Sequence, residues 1–164
     1  MIGRASHRRG AGTVPDERSG EERVDLGVLD DLIGFHLRLA QNVSFRAFKR
    51  LTGEAKLRPG WFAVLTLIER NPGITPMALA RASGRDKSTI TPIIRDLLHE
   101  SLVRRRDIPS DRRSYSLFLT PKGEEKLAHL GACAAQHDRD LDAIVGDRKA
   151  ELLRLLRAVA TMLD

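Results

Sequence analysis

The spacing of apolar residues changes within the segment from Gly84 to Thr120, and this change limits the folds that the chain can adopt. Apolar residues first recur at intervals of three and four, the period of an amphipathic helix: Ile90, Ile93, Ile94, Leu97 and Leu98. After Leu102 the interval becomes two, which predicts two short strands: Val103 and Arg105 in the first, and Tyr115, Leu117 and Leu119 in the second. Proline, serine and aspartate in residues 108–113 favour a turn between them. The segment therefore predicts a helix followed by a β-hairpin.

The tip of this predicted hairpin is strongly basic. Residues 104–113 contain five arginines and two aspartates. Arginine at a hairpin tip suits DNA phosphates or a narrow minor groove, although a solvated charged turn is the simpler alternative. A helix followed by a basic hairpin is the outline of a winged helix-turn-helix. We therefore predict a DNA-binding lobe over residues 58–120.

Proline, glycine and capping residues divide the rest of the chain into helices. Thr75-Pro76 pairs an N-cap residue with a first-turn proline, and Thr120-Pro121 repeats that pattern. Asp86 is the predicted cap of the recognition helix, and Pro59 is predicted to lie in the first turn of its own helix. The other predicted helices span residues 25–51, 59–70, 77–82, 121–142 and 147–163. The fold class is therefore mainly α with a small β-wing.

The first and last predicted helices are apolar on more than one face. Such helices need more than one partner, and in a short chain one partner can be a second copy of the protein. Residues 25–52 and 121–164 are therefore predicted to be dimerisation helices. Residues 1–24 contain almost no large apolar residue, which predicts a disordered arm before a single domain at 25–164.

The composition is that of a basic globular protein. The 164 residues are 41% apolar and 30% charged, and the net charge is +6. Residues 81–113 contain nine basic and five acidic residues, so the basic excess is concentrated where a polyanion would bind. The single cysteine fits a reducing compartment, and no apolar run approaches the ~18 residues needed to span a bilayer. We expect a cytoplasmic protein without a membrane partner.

The sequence offers little support for an enzyme or an RNA-binding module. It contains no glycine-rich phosphate loop and no nucleophile elbow, and no cofactor is expected. Modules that read RNA usually display stacking aromatic side chains, whereas only seven residues here are aromatic. A winged helix that contacts RNA or protein stays an alternative.

Several motifs resemble the MarR family of bacterial transcription regulators, in that family's order and spacing: Leu79-Ala80, Asp86 to Thr91, Leu102-Val103, Arg106, Asp111-Arg112-Arg113, Leu119-Thr120 and Gly123. The resemblance covers about residues 25–164. It implies a two-fold dimer on a pseudo-palindromic duplex operator, more often as a repressor than as an activator. One position departs from the pattern, because Pro92 stands where the family commonly has arginine. Proline there predicts either a distorted first turn or a later start of the recognition helix.

The resemblance also implies which residues form the DNA-binding surface. They are Thr75, Lys87, Ser88, Thr89, Thr91, Arg95, Arg106, Asp111, Arg112 and Arg113. Thr75 begins a helix whose N–H groups suit a phosphate, and Arg113 is expected in the minor groove. Asp111 is expected to orient an arginine, since a free carboxylate would repel phosphate.

Many MarR-like proteins release DNA when an aromatic acid, a phenolic compound or an acyl-CoA thioester binds between the DNA-binding lobe and the dimer helices. The candidate lining residues here are Phe35, His36, Arg38, Leu39, Phe45 and Trp61, although the aromatic residues can equally belong to the core. A metal- or redox-responsive regulator is the alternative. His129, Cys133 and His137 are spaced by four residues, which places them on one face of the fifth helix. The simpler alternative is a largely exposed helix face with a buried or semi-buried thiol.

Overall fold

The computed structural model describes residues 24–109 and 111–163, without the side chains of residues 111–113. Its helices are α1 (Ile33–Thr52), α2 (Trp61–Arg70), α3 (Pro76–Ala82), α4 (Lys87–His99), α5 (Pro121–Val145) and α6 (Lys149–Met162). Its strands are β1 (Val103–Ile108) and β2 (Asp111–Leu119), and short 3-10 helices span Gly27–Asp31 and Gly146–Arg148. This architecture confirms the predicted fold class. The arm predicted for residues 1–24 lies outside the described residues, apart from Val24.

The described residues belong to two structural units, the first of which ends at Leu37. In this first unit the Asp25 side chain accepts a hydrogen bond from the Gly27 N–H at 2.9 Å, and a 3-10 helix follows. Leu32 then adopts an extended backbone, with φ −91° and ψ 114°. The prediction of one helix from Asp25 to Leu51 is therefore wrong at its start. The extended residue interrupts the i to i+4 hydrogen bonds, so α1 begins at Ile33.

The second unit has one hydrophobic core, which is formed by four of the helices and the wing. Its most completely buried side chains are Val64, Leu65, Ile68, Leu79, Ile90, Leu97, Leu117 and Leu130. They come from α2, α3, α4, β2 and α5, so these five elements share one interior. The apolar faces predicted for the second helix and the recognition helix are confirmed, because Trp61 and Ile93 are buried with them.

The start of α2 differs from the prediction. The helix begins at Trp61 rather than Pro59, and its N-cap residue is Gly60 with φ 90°. This left-handed conformation is easy only for glycine. The guanidinium group of Arg85 also lies over Gly60, where a Cβ atom would come within 2.7 Å of Nη2. Pro59 therefore lies in the preceding turn, and the glycine sets the start of the helix.

Side chains cap α3 and α4 as predicted. Thr75 accepts a hydrogen bond from the Ala78 N–H at 3.3 Å at the start of α3, which Pro76 opens. Asp86 accepts one from the Thr89 N–H at 2.7 Å at the start of α4. Each cap satisfies an N–H group that the helix itself leaves without a partner.

The wing is an antiparallel hairpin in which Val103 pairs with Leu119 and Arg104 with Phe118. Alternation along β2 places Leu117 in the core, fully buried, while Phe118 points to the other face. Ile74 forms an isolated bridge with Leu117, which fastens the loop after α2 to the wing. Because β2 begins at Asp111, the turn at the tip is shorter than the predicted 108–113.

The wing joins α5 through a tight junction. The Thr120 hydroxyl accepts a hydrogen bond from the Gly123 N–H at 3.0 Å and donates to the Ser101 carbonyl at 2.7 Å. Gly123 is buried against the Leu102 carbonyl, and any Cβ at this position would overlap that backbone oxygen. This close approach explains the glycine in the Leu-Thr-x-x-Gly motif.

The last helices leave apolar side chains exposed. Helix α5 continues to Val145, three residues beyond the predicted end, and α6 contains no buried residue. Five apolar side chains of α6 are between 36% and 47% exposed: Leu152, Leu153, Leu155, Leu156 and Val159. Among residues 24–109 and 111–163, no helix is both long and apolar enough to span a membrane.

Candidate nucleic-acid interface

Helix α4 presents a polar face to solvent. Its apolar residues Ile90, Ile93, Ile94 and Leu97 are buried in the core. The residues that were predicted to contact DNA from this helix are all exposed: Lys87, Ser88, Thr89, Thr91 and Arg95. The helical period therefore separates a core-facing side from a side that a major groove can accept.

The first turn of α4 is held by the Asp86 carboxylate. One of its oxygens, Oδ1, accepts hydrogen bonds from the Ser88 hydroxyl and the Thr89 N–H, both at 2.7 Å. These bonds, that from Ser88 foremost, lower the pKa of Asp86 below its ordinary value. The Thr91 hydroxyl donates to the Lys87 carbonyl at 2.7 Å. The hydroxyl groups of Ser88 and Thr91 thus donate to Asp86 and Lys87, and their oxygen lone pairs stay available to accept hydrogen bonds from a partner.

Pro92 lies inside α4, which runs from Lys87 to His99 without a break. The later start that proline predicts is therefore wrong. Proline has no N–H group to donate to the Ser88 carbonyl, so the helix continues without that bond. Because Pro92 is exposed, its ring lies on the outer side of the helix, at the position where the MarR family commonly has arginine.

Arginine side chains cover both faces of the wing. The guanidinium carbon of Arg104 lies 4.7 Å from the centre of the Phe118 ring, and that of Arg106 lies 5.2 Å from it. Arg105 approaches the Tyr115 ring at 5.8 Å. Arg106 was predicted to contact DNA, whereas Arg104 and Arg105 were not. The alternation of the strand was the signal that could have grouped Arg104 with Arg106.

Four predicted DNA-binding residues remain, and the structure describes the side chain of one of them. Thr75 is half-buried, because it caps α3. The side chains of Asp111, Arg112 and Arg113 lie outside the described part of the chain, although their backbone belongs to β2. Their roles stay predictions.

The predicted effector residues do not form one group. Trp61 is only 5% exposed and belongs to the core, and its indole N–H has no hydrogen-bond partner among the described residues. Phe45 is half-buried against the same core, while Arg38 is exposed. Phe35 and His36 belong to the first unit, where their rings meet edge to face at 5.4 Å. Leu39 is 45% exposed.

Two neighbouring cavities, of about 660 and 590 Å³, share Trp61 in their walls. The larger one lies between the end of α1, the loop after it and the second half of α4. Its ionisable lining residues are Lys49, Lys56, Arg58, Arg95, Asp96, His99 and Glu100. Arg58 pairs with Asp96 at 3.0 Å. Sequence reasoning missed this cavity, because its walls come from segments that are far apart in the chain.

The three residues of the predicted metal alternative all contact α1. His137 shares a 2.8 Å hydrogen bond with the Ser44 hydroxyl, and the Cys133 thiol donates to the Leu51 carbonyl at 3.6 Å. His129 Nε2 donates to the Thr52 carbonyl at 3.3 Å. Among the described residues, no three potential ligands are placed to hold a metal ion. His129 is exposed and Cys133 is half-buried, which agrees with the simpler alternative of an exposed helix face with a semi-buried thiol.

Comparisons with known proteins agree with this architecture. The MarR family model matches residues 57–115, which contain the helix-turn-helix and much of the wing. A putative transcriptional regulatory protein for the hcr operon of Thauera aromatica is 36% identical over 127 residues, 76% of each chain. The transcriptional repressor CouR bound to a 23-mer DNA duplex is 32% identical with a TM-score of 0.74, covering 85% of this chain and 99% of that one. CouR bound to p-coumaroyl-CoA is 28% identical with a TM-score of 0.76 over the same shares.

Helices α2, α3 and α4 share one buried core, the outer face of α4 is polar and exposed, and the wing beside it is rich in arginine. These features define a winged helix-turn-helix regulator that binds DNA. The chain belongs to the MarR family of transcriptional regulators.

Proposed function

We propose that this protein is a homodimeric repressor that binds a pseudo-palindromic operator and leaves it when a small ligand binds. The observation that carries the proposal is the division of α4 into a core face and an exposed polar face. A helix of this kind in a winged fold lies in the major groove. CouR, which is similar over most of its length, was solved on a DNA duplex, and this supports the same partner here. The proposal places the protein in the cytoplasm, with the chromosome.

The proposed DNA contacts follow from this placement of α4. Lys87, Ser88, Thr89, Thr91 and Arg95 would face the major groove, and Thr75 would bind a phosphate beside it. Arg106, Arg112 and Arg113 would hold the wing against the adjacent groove, with Asp111 orienting an arginine.

The exposed apolar side chains of α6 support the dimer. A row of five leucine and valine side chains, each more than one third exposed, is costly to leave in water. A second copy would cover them, with the α1 and α5 helices contributing in the same way. A two-fold dimer would present its recognition helices about one turn of B-DNA apart, which requires a pseudo-palindromic site.

The cavity beside α4 supports a ligand with an anionic group and a flat apolar part. Its lining includes the buried Trp61 and Leu57 and the basic residues Lys49, Lys56 and Arg95, together with the acidic Asp96 and Glu100. CouR, a relative at 28% identity, binds p-coumaroyl-CoA, a ligand with this chemistry. We expect an aromatic acid, a phenolic compound or an acyl-CoA thioester. Because Arg95 is also a proposed DNA contact, ligand and operator would compete for it, and the ligand would favour the form that cannot bind DNA.

Fluorescence anisotropy would test the proposal directly. The purified protein is titrated against a labelled duplex of its own upstream region, with random duplex as competitor, at two salt concentrations. We expect nanomolar binding that resists the competitor and weakens steeply with salt. The same assay then screens aromatic acids and acyl-CoA thioesters for release. Equal, weak binding to both duplexes would contradict an operator in that region.

The wing has its own test in Arg113→Ala. We expect operator affinity to fall at least about tenfold, because a minor-groove arginine contributes both charge and shape readout. Arg70→Ala removes the same charge from the last turn of α2, outside the wing and the proposed dimer interface, and serves as the control. Gel filtration should show that both variants keep the wild-type oligomeric state. Unchanged affinity of Arg113→Ala would contradict the proposed role of the wing.

A further inference from the structure

The outer face of the wing carries one aromatic ring beside two arginines. Arg104 lies directly opposite Phe118 in the strand register, and Arg106 lies two residues further along the same face. Both guanidinium carbons lie within 5.2 Å of the ring centre. This is inside the distance of about 6 Å at which a cation is attracted by an aromatic face. Both arginines are exposed, while the ring is half-buried.

The Phe118 ring packs against the loop after α2. Its outer atoms lie close to Gly73, where a Cβ atom would meet Phe118 Cζ at 3.5 Å. Gly73 donates its N–H to the Leu117 carbonyl at 2.9 Å, and Ile74 bridges to the same residue. The loop after α2 therefore fixes the strand on which Phe118 stands. The ring therefore lies against the loop after α2, on a strand that is fastened to the core through Leu117.

An arginine held against a ring loses less conformational freedom on binding than a free one. A long arginine side chain otherwise gives up much of its rotamer entropy when it binds a phosphate. The stacked guanidinium still directs its N–H groups outward along its plane, where phosphate oxygens can accept them. Two such groups on one ring would present a paired donor set to the DNA backbone.

We propose that Phe118 is a positioning residue for DNA binding, whose ring holds Arg104 and Arg106 as a paired phosphate-binding group on the outer face of the wing. This inference rests on the proposed operator binding and adds Arg104 to its DNA-binding residues. Phe118 itself touches no DNA in this arrangement. It acts through the two arginines, and an aliphatic residue of similar bulk cannot replace it.

A double-mutant cycle in operator binding tests the role of the ring. Phe118→Leu should weaken binding about fivefold, the effect of removing a cation–π interaction near 1 kcal/mol. Arg104→Gln with Arg106→Gln should weaken it further and lower the salt slope by about 0.9 for each phosphate that is no longer neutralised. In that double variant, adding Phe118→Leu should change affinity by less than about twofold, because the residues that it positions are gone.

Two further variants separate positioning from folding. Phe118→Trp should keep wild-type affinity, because tryptophan attracts cations at least as well as phenylalanine. Leu119→Met alters the same strand without touching the ring and should be neutral. Thermal unfolding followed by circular dichroism checks that every variant folds.

Either of two results would overturn the inference while leaving operator binding intact. In the first, Phe118→Leu binds like the wild type. In the second, its effect is undiminished without the two arginines, which would give the ring a purely structural role. Absence of specific binding by the wild-type protein would instead overturn the proposed function, and this inference with it.

Discussion

Asp86 couples the first turn of the recognition helix to pH. Its carboxylate accepts two hydrogen bonds, which lower its pKa in the folded protein. A depressed carboxyl pKa stabilises the fold above the unfolded value, which is about 3.9. That stability is lost as pH falls through the folded pKa. The residue that caps the helix therefore makes its first turn less stable in acid.

Substituting Asp86→Asn would expose this dependence. Asparagine caps a helix about as well but does not titrate in this range. We expect the wild type to have the higher thermal midpoint above about pH 5, and the difference to shrink below about pH 4. Asp86→Ala is the control that lacks a cap at every pH. A difference that stays constant down to about pH 3 would contradict the role of the carboxylate.

Pro92 is a second residue whose effect on the free energy of unfolding can be measured. It sits within a continuous helix and cannot bond to the Ser88 carbonyl. Pro92→Ala should raise the free energy of unfolding by about 1–3 kcal/mol in urea denaturation, because the missing hydrogen bond is restored. Pro76→Ala, at the first position of α3, is the matched control and should give no gain. No stabilisation at position 92 would mean that the surrounding helix has already relaxed around the ring.

At the scale of elements, the hairpin and the recognition helix are predictable because each repeats a simple period. The buried residues Ile90, Leu97 and Leu117 all follow from apolar spacing. The starts of α1 and α2 are not predictable in this way. The backbone of Leu32 and the packing of Arg85 on Gly60 decide them, and neither leaves a periodic signal.

The candidate site could likewise be predicted from the sequence only in part. Residues on a single element, such as Lys87 to Arg95, could be assigned from the helical period and the family resemblance. The cavity beside α4 could not, because its lining comes from separate parts of the chain, including Lys49, Trp61 and His99. Stacking of Arg104 and Arg106 on Phe118 depends on strand register, which turn chemistry alone determines only loosely.

The junction between the wing and α5 gives a test at this scale. Gly123→Ala places a methyl group against the Leu102 carbonyl and should destabilise the protein by about 1–3 kcal/mol. Gly131→Ala lies in the same helix, and nothing lies within 4 Å of its added Cβ. It should be neutral or stabilising by up to about 1 kcal/mol. Equal effects of the two substitutions in chemical denaturation would contradict the close approach at Gly123.

At the scale of the whole molecule, the apolar surface of α6 is the feature that needs a partner. Leu156→Asp would place a charge in the middle of that surface, where the second copy is proposed to lie. We expect analytical ultracentrifugation to show at least about a tenfold weaker dimer. Met77→Asp is the control, because Met77 is also apolar, is 69% exposed and lies on α3. A Leu156→Asp variant that associates like the wild type would contradict this interface.

The hydrogen bonds around Thr120 have a consequence for how the molecule opens. The Thr120 N–H is bonded to the Leu102 carbonyl at 3.1 Å, and the Gly123 N–H is bonded to the Thr120 hydroxyl. The Thr120 amide can exchange its proton for deuterium only when its bond to the Leu102 carbonyl opens, whereas the Gly123 amide can also exchange when the first turn of α5 frays. The exchange rate of the Thr120 amide therefore reports on separation of the base of the wing from α5. A ligand that slows this rate would be acting on the hinge between the DNA-reading hairpin and the long helix behind it.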